Sequence, residues 1–249
     1  MHVLGHRGSR RPGPENTPEA VRAALEAGAD GVEVDVRRSR DGQLICLHDP
    51  ALNGTGSGRL GNTDLRRVVV ESDAATLPVA LLDDVLDAGR GGRVVLEVKN
   101  VRRQPDYDGR RATSARLLTT LLNRRRAAGA DDDVIVSSFD PTAIIVARAA
   151  GLPTALLTLP SIPVTAGLRV VLRAGHAELH AHTSALPARM PRRVAAAVTR
   201  VHDAGVRLVV WTVTSTDDAL RLRDAGVDAV ICDDPAAVRK TLDRHEAQG

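Results

Sequence analysis

Short apolar runs alternate along the chain with amphipathic stretches, and the dipeptide Ala-Gly marks most of the boundaries. It occurs at residues 27–28, 88–89, 128–129, 150–151, 174–175, 204–205 and 225–226. Glycine just beyond a helix enters the left-handed conformation without a clash from Cβ. Each copy therefore predicts the end of a helix followed by a strand.

The apolar runs that follow these boundaries predict eight strands. They are HVLGH (2–6), GVEVDV (31–36), RVVLEV (93–98), DVIVSS (133–138), LPTALLTL (152–159), AELHAH (177–182), VRLVVWTV (206–213) and VDAVIC (227–232). Helix starts are marked by a capping residue before proline at Thr17-Pro18, Asp140-Pro141 and Asp234-Pro235. With a last helix from about Asp234, the pattern gives eight helices.

Eight alternating strands and helices in one chain of 249 residues predict an α/β fold, a (β/α)8 TIM barrel, as a single domain over residues 1–249. A doubly wound open sheet is the alternative. One departure is visible after strand 31–36, where Ser39-Arg40-Asp41-Gly42 turns the chain back into QLICLH (43–48), a hairpin. Residues 49–76 then form a short polar insertion. The boundaries are least distinct over 160–182, where an extra Ala-Gly lies at 166–167.

Composition narrows the function classes. Hydrophobic residues make up 43% and charged residues 26%, which excludes a disordered chain, and aromatic content of 1% argues against base stacking on nucleic acid. No apolar run approaches the roughly 18 residues of a membrane span, and the N-terminus lacks a secretory signal. Cys46 and Cys232 lie in separate apolar runs, so we expect buried free thiols and a cytoplasmic protein.

Polar residues interrupt the strands where a barrel places its active site, at the carboxyl ends. Alternation puts Glu33 and Asp35 on one side of their strand, and it puts Glu97 and Lys99 on one side of theirs. Three converging carboxylates call for a compensating cation, and hard oxygen ligands suit Mg²⁺ or Ca²⁺. The alternative is a buried salt-bridge network among these four residues.

Two histidines and two basic residues complete the predicted site. His6 and His48 each end a strand, and a histidine pair supplies a general base and a general acid near neutral pH. Arg7 offers a bidentate grip on phosphate. Lys99 is one of only two lysines among 34 basic residues, which suggests a phosphate contact or a Schiff-base amine.

Other histidines and aromatic residues have weaker interpretations. His176, His180 and His182 form the pattern H-x-x-x-H-x-H, which favours a surface strand edge over a metal site because no cysteine or carboxylate pattern accompanies it. Trp211 and Phe139 lie at strand ends, where either a pocket wall or ordinary core packing is expected.

Read together, these residues resemble the glycerophosphodiester phosphodiesterase family. The matching motifs run in order along nearly the whole chain: His6-Arg7-Gly8, Pro14-Glu15-Asn16-Thr17, Gly28-Ala29-Asp30, Glu33-x-Asp35-Val36, Asp41-Gly42, His48-Asp49, Leu96-Glu97-Val98-Lys99, Ser137-Ser138-Phe139, Trp211-Thr212-Val213 and Gly226-Val227-Asp228. Each motif alone is weak, whereas the ordered set is specific.

The resemblance implies a (β/α)8 barrel that binds one divalent cation, Mg²⁺ or Ca²⁺, through Glu33, Asp35 and Glu97. It implies that His6 and His48 are the acid–base pair. Arg7 and Lys99 would contact the phosphate, with Trp211 a further substrate-binding residue. The glycerol 2-hydroxyl would attack first, and water would then open the cyclic phosphate to give glycerol 3-phosphate.

The chain departs from the family pattern in three places: Asn53-Gly54-Thr55-Gly56, Thr214 and Cys232-Asp233-Asp234-Pro235. None of these is a predicted catalytic or metal residue, so they bear on substrate preference. The expected partner is a small glycerophosphodiester, with no nucleic acid and no stable membrane insertion. The alternatives are a lysophospholipase D-like enzyme, an aldolase-like barrel with Lys99 as Schiff base, and a non-enzymatic binding protein.

Overall fold

The structure is a computed structural model that describes residues 1–9, 14–52, 63–64, 79–104, 106–186 and 190–247. Its strands, in chain order, are β1 (His2–His6), β2 (Gly31–Arg38), β3 (Leu44–Cys46), β4 (Ala51–Leu52), β5 (Thr63–Asp64), β6 (Ala80–Leu81), β7 (Arg93–Val98), β8 (Val134–Ser138), β9 (Thr154–Leu157), β10 (Glu178–His182), β11 (Arg207–Val213) and β12 (Ala229–Cys232). The α-helices are α1 (Pro18–Glu26), α2 (Leu82–Ala88), α3 (Thr113–Ala127), α4 (Pro141–Ala149), α5 (Val164–Ala174), α6 (Pro191–Asp203), α7 (Thr216–Asp224) and α8 (Pro235–Glu246).

Eight of the strands form a closed parallel barrel in the order β1-β2-β7-β8-β9-β10-β11-β12. Strand β1 closes it by pairing in parallel with both β2 and β12. The prediction of a (β/α)8 barrel is therefore confirmed, and the open doubly wound sheet is wrong because such a sheet leaves its first and last strands unjoined. The predicted hairpin is also confirmed, since β3 runs antiparallel to β2.

Local capping explains most helix boundaries. Side-chain oxygens of Thr17, Asp140 and Asp234 accept hydrogen bonds from the first turns of α1, α4 and α8, as their position before proline predicts. The Ala-Gly ends are likewise present. Gly89 is the exception: its φ is −84°, and the left-handed residue of that connection is Gly91, with φ 88°.

The extra Ala-Gly at 166–167 lies inside α5 rather than at its end. A Cβ on Gly167 would lie 2.8 Å from Cδ1 of Leu179 on β10. Glycine is therefore needed at this position because helix and strand approach each other closely. In the sequence, this Ala-Gly cannot be told from the copies that end helices.

Strand alternation separates an outer apolar face from the barrel interior. Val32, Val34 and Val36 of β2 pack with the helices in the outer core, whereas Glu33 and Asp35 point inward. A separate apolar layer fills the middle of the barrel: Leu4, Val95, Ile135, Ala155, Val209, Ala229 and Ile231. This layer divides the interior into two polar ends.

Other expectations fall partly outside the described residues. Of the insertion 49–76, the structure describes residues 49–52 and 63–64, where β4 and β5 pair antiparallel; the family departure at Asn53-Gly54-Thr55-Gly56 lies outside them. Cys46 and Cys232 are buried free thiols, as expected. Among the helices described, none combines the length and apolarity that crossing a bilayer requires.

Candidate active site

A cavity of about 290 Å³ opens at the carboxyl ends of the barrel strands. Its polar side is formed by His6, Arg7, Glu33, His48, Glu97 and Lys99. They come from the ends of β1 and β7, from Glu33 within β2, which lies beside His6, and from the segment after β3. Neighbouring strands bring them to one mouth. The structure therefore brings together the residues that the sequence singled out.

The three predicted metal ligands form one buried cluster. One ligand atom from each of Glu33, Asp35 and Glu97 lies within 4.8 Å of the other two. The register explains this proximity, because Asp35 of β2 lies opposite Glu97 of β7, and Glu33 lies two residues earlier on the same face.

The charges within this cluster do not balance. Lys99 Nζ lies 2.8 Å from Oδ1 of Asp35 and 2.6 Å from Oε1 of Glu97, and Arg7 Nε lies 3.1 Å from Oδ2 of Asp35. Among the described residues, Glu33 Oε2 accepts a 3.2 Å bond from the Arg7 amide and lies 3.9 Å from Nε2 of His6, and its Oε1 is buried with no hydrogen-bond partner. Asp35 thus pairs with Lys99 and Arg7, and Glu97 pairs with Lys99, whereas Glu33 has no ion pair with a lysine or arginine side chain in the part of the chain that the structure describes. Burial nevertheless raises the pKa of Glu97 as well.

The pKa shifts follow the same imbalance. Burial, reinforced by the charges of Asp35 and Glu97, raises the pKa of Glu33 well above its usual range. Burial acts on Asp35 too, but Lys99 and Arg7 hold its pKa below the ordinary value. An added cation would stabilise the ionised form of Glu33. An orphaned buried carboxylate oxygen beside two further carboxylates fits a hard divalent cation such as Mg²⁺ or Ca²⁺.

Asn16 contacts the carboxylate cluster in a way that the sequence did not predict. Its Nδ2 donates to Oδ2 of Asp35 and its Oδ1 accepts from the Asp35 amide, both at 2.9 Å, so it fixes the carboxylate and its backbone together. Asn16 has φ 61°, a left-handed conformation that asparagine tolerates better than most residues. The available signal was its place in Pro14-Glu15-Asn16-Thr17.

His6 is half-enclosed at the end of β1. Its Nδ1 lies 2.7 Å from Oδ1 of Asp233, and its Nε2 lies 3.9 Å from Oε2 of Glu33. Burial lowers the pKa of His6, although the bond to Asp233 acts in the opposite direction. With the Nδ1 hydrogen donated to Asp233, the Nε2 of a neutral imidazole is left to accept a proton.

His48 lies across the same cavity and is more open. Its side chain is 43% exposed, and its Nδ1 lies 2.9 Å from Oδ1 of Asp49. Each histidine therefore has an aspartate at Nδ1, an arrangement that fixes ring orientation and leaves Nε2 for proton transfer.

The other side of the cavity is apolar, and Trp211 belongs to it. The ring of Trp211 meets Phe139 edge-on at a centroid distance of 5.5 Å and His182 at 4.9 Å, and Leu157 and Ile231 complete this side. Both aromatic residues thus line the pocket as well as packing against one another.

The expectation of a surface strand edge for His176, His180 and His182 is wrong. His176 and His180 are buried, and β10 has a neighbour on each side in a closed barrel, which has no edges. His180 lies inside the barrel with Nε2 3.0 Å from Oε2 of Glu178. Period-two alternation in AELHAH matches a barrel strand as well as an edge strand.

Comparison with known proteins agrees with this geometry. The model of the glycerophosphoryl diester phosphodiesterase family matches residues 6–237, nearly the whole chain. The chain belongs to this family.

Relatives of the chain include a glycerophosphodiester phosphodiesterase of Caldanaerobacter subterraneus, 45% identical over 56 residues, which are 22% of this chain and 23% of that protein. The matched segments span only about a fifth of the first curated relatives. Solved structures match over almost their full length. A glycerophosphodiester phosphodiesterase from Thermotoga maritima is 24% identical with a TM-score of 0.76, covering 96% of this chain and 97% of that one.

A phosphodiesterase from Oleispira antarctica, solved in complex with the product sn-glycerol-3-phosphate, is 22% identical with a TM-score of 0.75 and covers 98% of this chain and 97% of that one. At this identity the likeness concerns the fold. In this chain, the departure Cys232-Asp233-Asp234-Pro235 makes two structural contacts: Asp233 contacts His6, and Asp234 caps α8.

Proposed function

We propose that this protein hydrolyses glycerophosphodiesters to glycerol 3-phosphate and an alcohol, with one divalent cation. The observation that carries the proposal is the meeting of three carboxylates, two cationic side chains and two aspartate-held histidines at one cavity. Phosphodiester cleavage needs positive charge on the phosphate and two proton transfers.

Glu33, Asp35 and Glu97 would hold the cation, either Mg²⁺ or Ca²⁺. When bound, it would neutralise charge that builds on the phosphate oxygens. Arg7 and Lys99, which line the cavity beside these carboxylates, would contact the same phosphate. Trp211 would pack against the substrate from the apolar side.

His6 and His48 would carry the protons. In the first step one histidine removes the proton of the glycerol 2-hydroxyl, whose oxygen attacks phosphorus. The bond from phosphorus to the alcohol oxygen breaks, and the other histidine protonates that oxygen. In the second step water adds to the cyclic phosphate and opens it, with the two histidines exchanging roles.

The size of the cavity and the state of Lys99 separate the alternatives. At about 290 Å³ the cavity lies at the small end of ligand pockets, which favours a small diester over the lipid-bearing substrate of a lysophospholipase D. A Schiff base needs a neutral amine. Burial alone would lower the pKa of Lys99, but Glu97 and Asp35 raise it above its ordinary value, which argues against an aldolase-like reaction.

The cellular setting belongs to the proposal as well. Two buried free thiols support a reducing compartment, and we assign the protein to the cytoplasm. Residues 1–249 would act as one domain on a small-molecule substrate.

The test is release of glycerol 3-phosphate from the choline, ethanolamine and glycerol diesters, with lysophosphatidylcholine as the lipid-bearing arm. We expect turnover of the small diesters that EDTA abolishes and that Mg²⁺ or Ca²⁺ restores. His6→Ala and His48→Ala should each lower turnover roughly 10²- to 10⁴-fold.

A matched control is His202→Ala, which removes an exposed histidine bonded to Asp228 at the opposite end of β12. It should leave turnover unchanged. Near-normal activity of either active-site histidine variant would rule out the acid–base pair. Turnover of lysophosphatidylcholine but of none of the small diesters would show that the substrates are lipid-bearing diesters instead.

A further inference from the structure

One guanidinium is buried among polar groups just beyond the predicted metal ligands. Arg37 follows Glu33 and Asp35 on the same face of β2, at the strand's carboxyl end, and its side chain is 1% exposed. A buried guanidinium has to find partners for its five N–H groups, because leaving them unpaired away from water is strongly unfavourable. The hydrogen-bond partners of Arg37 therefore indicate which parts of the chain it holds in place.

Two of the donors converge on a single backbone atom. Arg37 Nε and Nη2 donate to the carbonyl oxygen of His48, at 2.9 Å and 2.7 Å. The fork of two N–H groups fixes the direction of that carbonyl as well as its distance. Since the carbonyl and the Cα of His48 belong to one rigid backbone unit, the starting point of the imidazole is fixed too.

The remaining donors reach a different segment of the mouth. Nη1 donates to Oδ2 of Asp106 at 2.7 Å, and Nη2 also donates to Oε1 of Gln104 at 2.8 Å. Gln104 and Asp106 lie in the connection from β7 to α3, which begins with Lys99. Arg37 thus joins the segment carrying His48 to the connection that starts at the proposed phosphate contact.

His48 has little else to hold it. Within the described part of the chain, the one hydrogen bond of its ring is to the adjacent Asp49, which belongs to the same segment, and the side chain is 43% exposed. The neighbouring amide of Leu47 continues the pairing with β2 through the carbonyl of Asp35. Beyond that pairing, the hydrogen bonds that join residue 48 itself to the barrel among the described residues come from Arg37.

We propose that Arg37 is a positioning residue for His48, holding its backbone carbonyl so that the imidazole stays in place over the cavity. The inference rests on the proposed function, since it presumes that His48 transfers a proton. It assigns to Arg37 no contact with substrate.

The experiment is a double-mutant cycle on glycerophosphocholine with the cation present, using Arg37→Gln, His48→Ala and the double variant. We expect Arg37→Gln to lower kcat about 10- to 100-fold with little change in KM, the range for loss of a residue that orients a reacting group. In the His48→Ala background the same change should lower the residual kcat by less than twofold. Arg37→Lys should recover part of the loss.

Two further variants guard against a trivial loss of folding. Arg37→Met combined with Asp106→Leu removes both buried charges together, which buried ion pairs tolerate better than loss of one partner. It should keep a normal melting temperature while losing kcat like Arg37→Gln. Arg38→Gln is the matched control: Arg38 is the next residue, lies 3.7 Å from Asp108, and should leave kcat unchanged.

The outcomes separate this inference from the proposed function. Equal loss from Arg37→Gln with and without His48 would mean that Arg37 acts through the fold in general, and a stable Arg37→Met/Asp106→Leu protein with normal kcat would mean that it does not act at all. Either result overturns the inference alone. Normal turnover by His48→Ala would overturn the proposed acid–base pair and this inference with it.

Discussion

Two clusters of charge lie towards opposite ends of the same barrel, on either side of its apolar middle layer, and His180 of the lower cluster also lines the active-site cavity. At the amino ends of the strands, Glu178 lies 2.8 Å from Arg93, 3.7 Å from Arg207 and 3.0 Å from the ring of His180. At the carboxyl ends, the carboxylates of Glu33, Asp35 and Glu97 lie beside two permanent cations, Lys99 and Arg7, and Asn16 donates a further bond to Asp35. At the amino ends, one carboxylate is surrounded by two arginines and a histidine. At the carboxyl ends, three carboxylates lie beside two permanent cations.

The electrostatic result is opposite at the two ends. Burial alone would raise the pKa of Glu178, but the bond from His180 and the charges of Arg93 and Arg207 lower it to about 2. Burial of Glu33 is not offset in this way, and its pKa is raised well above the usual range. In the lower cluster the Glu178 carboxylate is compensated by the cations around it, although Arg93 Nε and His180 Nδ1 have no hydrogen-bond partner among the residues that the structure describes. The upper cluster calls for further positive charge, so we assign stability to the lower cluster and chemistry to the upper one.

The largest expected effect comes from Glu33→Gln, which removes the uncompensated carboxylate. Turnover of glycerophosphocholine should fall roughly 10³-fold, because several kcal/mol of charge stabilisation at the phosphate depend on the cation that Glu33 would hold. In EDTA the melting temperature should stay the same or rise, since no satisfied ion pair is lost. A variant that melts well below wild type in EDTA would show that Glu33 is already compensated.

The corresponding glutamate-to-glutamine substitution at the amino ends of the strands should lower stability rather than turnover. Glu178→Gln leaves Arg93 and Arg207 without their shared carboxylate, and we expect it to lower the free energy of unfolding by about 3 kcal/mol. Its kcat at a temperature where it remains folded should match wild type. Chemical denaturation and turnover on the same preparation check both statements, and a large loss of kcat without destabilisation would contradict the division between the two clusters.

The sequence predicted the barrel because its signals are local. Each Ala-Gly end and each capping residue before proline acts within one helical turn, and each apolar run forms its own strand. Eight repeats of that unit then allow few architectures. The Ala-Gly at Gly167 looks like a helix end in the sequence because the contact that requires this glycine is not local: it is the close approach to Leu179 on another element.

The candidate site could be predicted as far as it lies on the strands. Alternation placed Glu33 and Asp35 inside, and parallel strand ends meet at one mouth. Asn16 and Arg37 could not be assigned roles, because each acts on a segment distant in sequence: Asn16 on Asp35, and Arg37 on the carbonyl of His48. His180 was placed on the surface because its partner Glu178 is informative only once the barrel is closed.

Cation binding should also distinguish the two clusters, through a somewhat smaller change in the free energy of unfolding. At a free Mg²⁺ or Ca²⁺ concentration about 100 times Kd, a ligand that binds only the folded state adds about 2.7 kcal/mol to the free energy of unfolding. Wild type and Glu178→Gln should both gain this increment, whereas Glu33→Gln should gain far less. Thermal unfolding across a titration of each ion measures it, and an equal gain in all three proteins would place the cation elsewhere.

The smallest effect is the pH dependence of stability that arises from Glu178 in the lower cluster. A carboxylate whose pKa falls from 4.5 unfolded to about 2 folded stabilises the protein fully above pH 4.5 and loses that stability as the pH falls towards 2. At pH 3 this amounts to about 2 kcal/mol less than at pH 7. Because other carboxyl groups titrate in the same range, the measurement is the difference between wild type and Glu178→Gln at the two pH values. The gap between the two proteins should narrow by that amount at pH 3, and a gap that stays constant would mean that Arg93, Arg207 and His180 do not hold the Glu178 carboxylate ionised.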